Sequence, residues 1–510
     1  MVWERQYDGG HLSPVMFAGP EEQNAMVQNP LALFAVCTGL TVFIVRHERE
    51  IISIRERLDY ISGVLSIRPR DPHSVFSEEP ERISTNNVTG VGDYPLDESI
   101  ISRKWRNEFP FMTIQTPSMM CFLGLPPRFA AQLVVAERET SSMLIQPGLS
   151  LNVEIHEEQS IGAFRAHCYK IHHWYPILHP TFFNTYLEMT KGLLPQSTDL
   201  FLSLVTAAIG SVVQCRSFRE VQETRPDTIY IERALSILPV VNMEFSLRSV
   251  QCLVMLTIYY NCIMKPCQAH DYILMASFKA QGLFKCHFYP DDDINQNLLR
   301  RCFWSILMIE TDLAYHIDMP ESNAWKFDDR ILLPEIFESW QPYREYEHHQ
   351  LDDLRLNENT TKAYFLAAIA MCRMIRRCTT AITISHDKEV YASVIAHELA
   401  RQLDTWYDRL PESLRFDRTI DQGAQNTAVL SPSSEIPGLT TATKSLKMQY
   451  YLCLTGIFWP AVYSAVYVDN IGSEALADCA RYFDAYASFV VSAVEALHNY
   501  PPSPWSIYAR

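Results

Sequence analysis

Positive charge is what this sequence is short of. Lys and Arg number 43 against 59 Asp and Glu, a formal net charge of −16. A body of that sign does not grip phosphate backbones over a broad face, because it has no surplus of cations with which to displace counterions. Any contact with DNA would need a small basic module. Paired cysteines are lacking too. The thirteen cysteines stand singly, several inside apolar stretches (Cys252, Cys302, Cys453). An odd, unspaced set fits reduced, buried thiols of the cytosol or nucleus rather than a disulfide framework. Asn87-Val88-Thr89 fits a glycosylation sequon, but nothing else points to secretion. Catalytic signatures are missing as well: no G-x-S-x-G elbow, no phosphate-cradling G-x-x-x-x-G-K-[ST] loop, no H-E-x-x-H helix. Gly90-Val91-Gly92 runs into Asp93, Tyr94 and Pro95, with neither a third glycine nor a preceding strand, so it is no dinucleotide loop. Apart from short apolar stretches such as Gln132–Ala136, the alternation of β-strands is absent.

What is present is helical periodicity in a soluble composition. Apolar residues make up 48% and charged residues 20% of 510 positions, enough for several domains or one large helical array. Helices are expected at Asp199–Gln214, Thr228–Leu238, Ser246–Met264, His270–Leu283, Asn295–Ile317, Thr360–Thr380, Lys388–Leu410, Thr441–Tyr467 and Ser473–Tyr500. In Ser246–Met264, Leu247, Val250, Val254 and Ile258 fall on one face and Ser246 is placed to cap the first turn. Pro239, Pro290, Pro320, Pro334 and Pro411 stand where helices should stop. The expected fold class is all-α, a large array of stacked antiparallel helices.

The N-terminal region is organised differently. Residues 1–47 form an atypical N-terminus with an apolar segment at 31–45, bounded by Glu21 and Glu22 before and Arg46 and Arg49 after. Fifteen apolar residues are short of the roughly 20 that a span requires. The segment reads either as a buried helix or as a single N-terminal membrane anchor. Residues 48–66 carry Ile51, Ile54, Leu58, Ile61 and Leu65 at spacings of three and four, a short coiled-coil-like helix suited to homodimer or heterodimer formation. Residues 67–105, with Pro69, Pro72, Pro80 and Pro95, read as a flexible linker. Residues 419–440 read as a disordered loop within the helical body of 106–510.

Three clusters invite a chemical reading. His172, His173 and His179 lie close together, but a metal site also wants carboxylates or thiolates converging on the ion, and Trp174, Tyr175, Pro176, Ile177 and Leu178 between them are packing residues. A turn feeding a helix at Thr181 is expected, with no metal. Asp291, Asp292 and Asp293 precede a helix, where acids cap free N–H groups. Arg300 and Arg301, beside Phe303 and Trp304, are expected to serve structure, one of them pairing with an acid such as Glu310 or Asp312.

That arginine helix also carries a resemblance. Arg300-Arg301-Cys302-Phe303-Trp304-Ser305 followed by Glu310 resembles the R-R-x-F/W-W-S helix of the fungal-specific transcription factor domain, the middle homology region of zinc binuclear-cluster regulators. HHWYPILHPTF, with Pro176 and His179, is similar to the segment that leads the domain. SLRSVQCLVMLTIYY, with Gln251, resembles its next helix, and AQGLFKCH, with Gly282 and Leu283, its A-x-x-L-G-L-H-R. Pro320 fills the place of the l-G-R-P proline. LDTWYDRLPESL, with Trp406, Leu410 and Pro411, and YYLCLTGIFWPAVY, with Pro460, are similar to its later elements. The match spans about residues 106–500. Each motif is degenerate, and their weight lies in their shared order.

The resemblance implies a regulator of RNA polymerase II transcription, non-enzymatic, acting in the nucleus, with a possible small-molecule effector. Family members bind two zinc ions through six cysteines opening C-x2-C-x6-C. Here Cys37 is followed next by Cys121, so no such module forms and no cofactor is expected in this chain. DNA would then be reached only indirectly or through a module not present here. The apparent dimerisation helix sits where the family carries its own, after the cluster. The alternative is a membrane-tethered or soluble helical adaptor using residues 31–45 as anchor.

Overall fold

The structure is a computed structural model that describes residues 124–126, 129–141, 155–290, 292–317, 319–343, 358–378, 382–385, 388–418, 437–467 and 472–498. All of them fall within the unit Gly90–Arg510. The apolar segment 31–45, the coiled-coil-like helix 48–66, the linker 67–105, Asp291 and most of the loop 419–440 lie outside the described residues.

Among the described residues, thirteen α-helices build the array. They are α1 (Phe129–Ser141), α2 (Glu157–His167), α3 (Phe182–Thr190), α4 (Thr198–Gln214), α5 (Phe218–Thr224), α6 (Thr228–Met243), α7 (Leu247–Cys262), α8 (Pro266–Lys285), α9 (Asp293–Ile317), α10 (Glu358–Arg377), α11 (Ser393–Asp408), α12 (Pro437–Tyr467) and α13 (Ser473–His498). A small antiparallel hairpin, β1 (Ile382–Ser385) and β2 (Lys388–Tyr391), joins α10 to α11. The protein is all-α in class, with this ribbon as a connector.

Two helices form the centre. In α4 and α7 almost every side chain is buried, so neither shows a polar face. Both begin at a serine cap: Ser197 Oγ accepts from Leu200 N–H and Ser246 Oγ from Ser249 N–H. Helix α2 crosses α4 at Gly210, where a Cβ would lie 1.9 Å from the Ala163 carbonyl oxygen, so only glycine allows that approach. Helix α8 packs along α7, and α9 packs against both. Asp292 opens α9 by accepting from Asn295 N–H at 3.0 Å.

Several element limits differ from the sequence expectations for physical reasons. Residues 132–136 lie within α1, not in an extended segment. Pro239 stands inside α6 rather than after its end. The last turn survives because Lys279 Nζ donates to the carbonyls of Val241, Asn242 and Glu244, holding the carbonyls that a broken helix leaves exposed. The helix expected from Lys388 begins only at Ser393, because Lys388–Tyr391 pairs with Ile382–Ser385. Among the described residues, no helix is long and apolar enough to cross a membrane.

The direction of the last helices matters for the site. Helices α10 and α12 run the same way: Cys453 Sγ meets Met371 Sδ at 3.5 Å, and Gly456 lies against Cys378. Helix α11 runs against α12, since Tyr450 donates to Asp404 at 2.8 Å while His397 lies 6.3 Å from Phe458. Therefore α10 and α11 are antiparallel.

Candidate ligand groove

The residues of the arginine helix turn out to stitch an irregular segment to the core. Arg301 is 1% exposed; its Nη1 donates to the Pro176 carbonyl at 2.6 Å and its guanidinium lies over the Trp340 ring. Burial pulls its pKa down to about 10. Gln251 Nε2 donates to the neighbouring Ile177 carbonyl. His172 Nε2 bonds the Trp340 carbonyl, and His179 Nδ1 accepts from Thr181 N–H, just before α3. Burial lowers the His172 pKa to about 4, against a smaller opposing effect of that carbonyl, so the ring is neutral. The expected ion pair of this helix falls elsewhere. Arg300 pairs with Glu335 at 2.9 Å, not with Glu310 or Asp312, because it faces the loop after α9. Glu310 instead accepts from the backbone and side chain of Ser322, and burial raises its pKa.

Phe303 and Leu283 are buried, and Trp304 Nε1 donates to the Leu332 carbonyl at 3.1 Å. The Pro320 carbonyl accepts from His270 Nε2. Gly282 faces Phe245, whose ring would lie 2.9 Å from a Cβ. Pro460 lies inside α12 and is buried. Among the described residues, no group of three or more His, Cys, Asp or Glu could hold a metal ion.

Trp406, Leu410 and Pro411 lead to a cavity. Trp406 Nε1 donates to the Ala367 carbonyl at 3.2 Å, pinning α11 to α10. Beside that contact the two helices line a groove of about 850 Å³, to which Leu333 and Ile336 also contribute. Helix α10 turns two faces to its surroundings: Tyr364, Phe365, Ala368, Met371 and Ile375 enter the core, while Ala363, Ala367, Ala370 and Met374 line the groove. Small side chains at three of those positions leave the space open. Five cations line it, Lys362, Arg373, Arg377, Arg401 and Arg409, and no Asp or Glu does.

Three of the cations are held from outside the lining: Lys362 by Glu358 at 2.7 Å, Arg373 by Asp328 at 3.2 Å and Arg401 by Glu398 at 2.7 Å. Arg409 has no carboxylate within ion-pair distance among the described residues. Nothing in the sequence flagged these residues as a set. They are spread over two helices, and only the antiparallel pairing gathers them.

The family model described as the fungal specific transcription factor domain matches residues 167–408, which include α3 to α11 and hence both helical walls of the groove. Aspergillus rugulosus ecdB, named as a transcription factor, is 33% identical over 471 residues, covering 87% of this chain and 76% of its own length. No solved structure matches. The ordered motifs, the helical array and these matches agree: the chain belongs to the fungal-specific transcription factor domain family.

Proposed function

We propose that this fungal transcription regulator acts in the nucleus on genes read by RNA polymerase II, and that its helical body is the regulatory part. The observation that carries the reading is the alignment with the named transcription factor over most of both chains. The net charge of −16 supports contact with DNA through a partner or a separate basic module rather than through the helical body. Residues 48–66 would supply a dimer contact, and the groove between α10 and α11 would receive a small effector. No cofactor is proposed for this chain, and no enzymatic activity.

The test is genetic. A strain lacking the chain should change the transcripts of a limited gene set, and a fluorescent fusion should collect in the nucleus. A fusion found in carbonate-resistant membranes, with an unchanged transcriptome, would hand the chain to the adaptor reading.

A further inference from the structure

We propose that the groove between α10 and α11 binds an elongated organic anion: an apolar chain or ring system ending in a carboxylate, with that carboxylate seated at Arg409. This deepens the effector reading above and rests on it for its meaning in the cell, although binding itself can be measured without DNA.

Shape comes first. A cavity of about 850 Å³ lies in the range of small-molecule sites. From Asn359 to Arg377 its wall on α10 follows about 27 Å of helix, so the space is long rather than round. The floor of alanines with Leu366, Met374 and Trp406 offers burial to apolar groups and little to polar ones.

Charge selects the ligand further. In a chain with sixteen surplus negative charges, a lining of five cations and no acid is a local reversal of sign. A neutral ligand would leave that reversal unused, and a cation would be repelled by it. The antiparallel helices place Arg377 and Arg401 at one end and Lys362 and Arg409 at the other. Lys362 and Arg401 are already engaged by Glu358 and Glu398. Arg409 has no carboxylate partner among the described residues. It follows the last residue of α11, where the helix carbonyls favour positive charge. A ligand carboxylate there gains a charge-assisted hydrogen bond that does not have to displace a protein acid. Nucleic acid is disfavoured by the apolar floor and the few cations.

Calorimetry on the purified full chain, with decanoate, decanol and decyltrimethylammonium as probes, tests the proposal. Decanoate should bind at one saturable site, decanol about tenfold more weakly, and the ammonium probe not at all. Arg409→Glu should weaken decanoate about tenfold and leave decanol unchanged. Ala370→Phe, which fills the floor, should remove both; Gln402→Trp on the opposite wall serves the same purpose should the first variant fail to fold.

Equal binding of all three probes, loss of neither ligand on filling the groove, or no binding at all overturns the site. So does a labelled acidic amphipathic peptide that binds where decanoate does not and is displaced by Ala370→Phe, which assigns the groove to a protein partner. Each of these failures leaves the transcript and localisation test standing, and failure of that test leaves the calorimetry standing.

Discussion

At Gly210 the distance between two helices is set by a missing side chain. An added Cβ would sit 1.9 Å from the Ala163 oxygen, a backbone atom of α2 that cannot swing aside. Gly210→Ala should therefore cost about 3 kcal/mol as α2 and α4 separate, measured by urea unfolding; a loss no larger than an ordinary surface change would remove the argument. His172 makes a different prediction. Its folded pKa, near 4, lies below the value of about 6.5 for an unfolded histidine. The unfolded chain therefore takes the proton first as pH falls. The stability conferred by the neutral ring is complete above about pH 6.5 and is lost progressively down to about pH 4. Between pH 6.5 and 5 that loss should amount to about 2 kcal/mol. His172→Gln keeps a donor for the Trp340 carbonyl without the titration, so its stability should fall less over the same interval. An identical fall in both proteins would assign the acid sensitivity elsewhere.

Most of the longer helices were legible before the structure, whereas α1, α2 and α5 were not expected, and two further departures share a cause. Ser246 marks a helix start because it satisfies a free N–H locally, with no help from the rest of the chain, and Ser197 does the same for α4. Pro239 and the hairpin could not be read that way. Pro239 is tolerated because Lys279, from another helix, holds the following turn, and Lys388–Tyr391 is extended because Ile382–Ser385 lies alongside. The groove was illegible for the same reason: its cations meet only once α10 and α11 pair. The hairpin's second strand is fastened to α13 through Asp478. Asp478 of α13 is buried and accepts from Tyr391 Oη at 2.8 Å, Ser393 Oγ at 2.7 Å and His397 Nε2 at 2.8 Å, tying β2 and α11 to α13. Burial acts to raise its pKa, but those donors together hold it below the usual carboxylate value. Asp478→Asn loses the charge and one acceptor at once, which should cost about 2 kcal/mol. The loss should be local: amide exchange across residues 388–400 should quicken, while α4 and α7 keep their protection. Unchanged exchange there would show that the hairpin is held by other contacts.

For the whole molecule the deciding quantity is the balance of charge. Affinity for a phosphate backbone grows with the number of phosphates neutralised, because each releases condensed counterions. This chain carries sixteen more carboxylates than cations. The cations that do gather, in the groove, are interleaved with apolar side chains and in three cases already engaged by protein carboxylates. Membership of a transcription factor family and poor intrinsic affinity for DNA are compatible, provided that the regulatory body works through another DNA-contacting element. The purified full chain should therefore give no discrete shift of duplex DNA at about 0.15 M salt, where surface charges beyond about 8 Å are screened. Fusing the same chain to an unrelated DNA-binding domain should give promoter-dependent control of a reporter. A tight, sequence-selective shift by the unfused chain would mean that a basic surface outside the described residues contacts DNA directly, and the division of labour proposed for this regulator would fall.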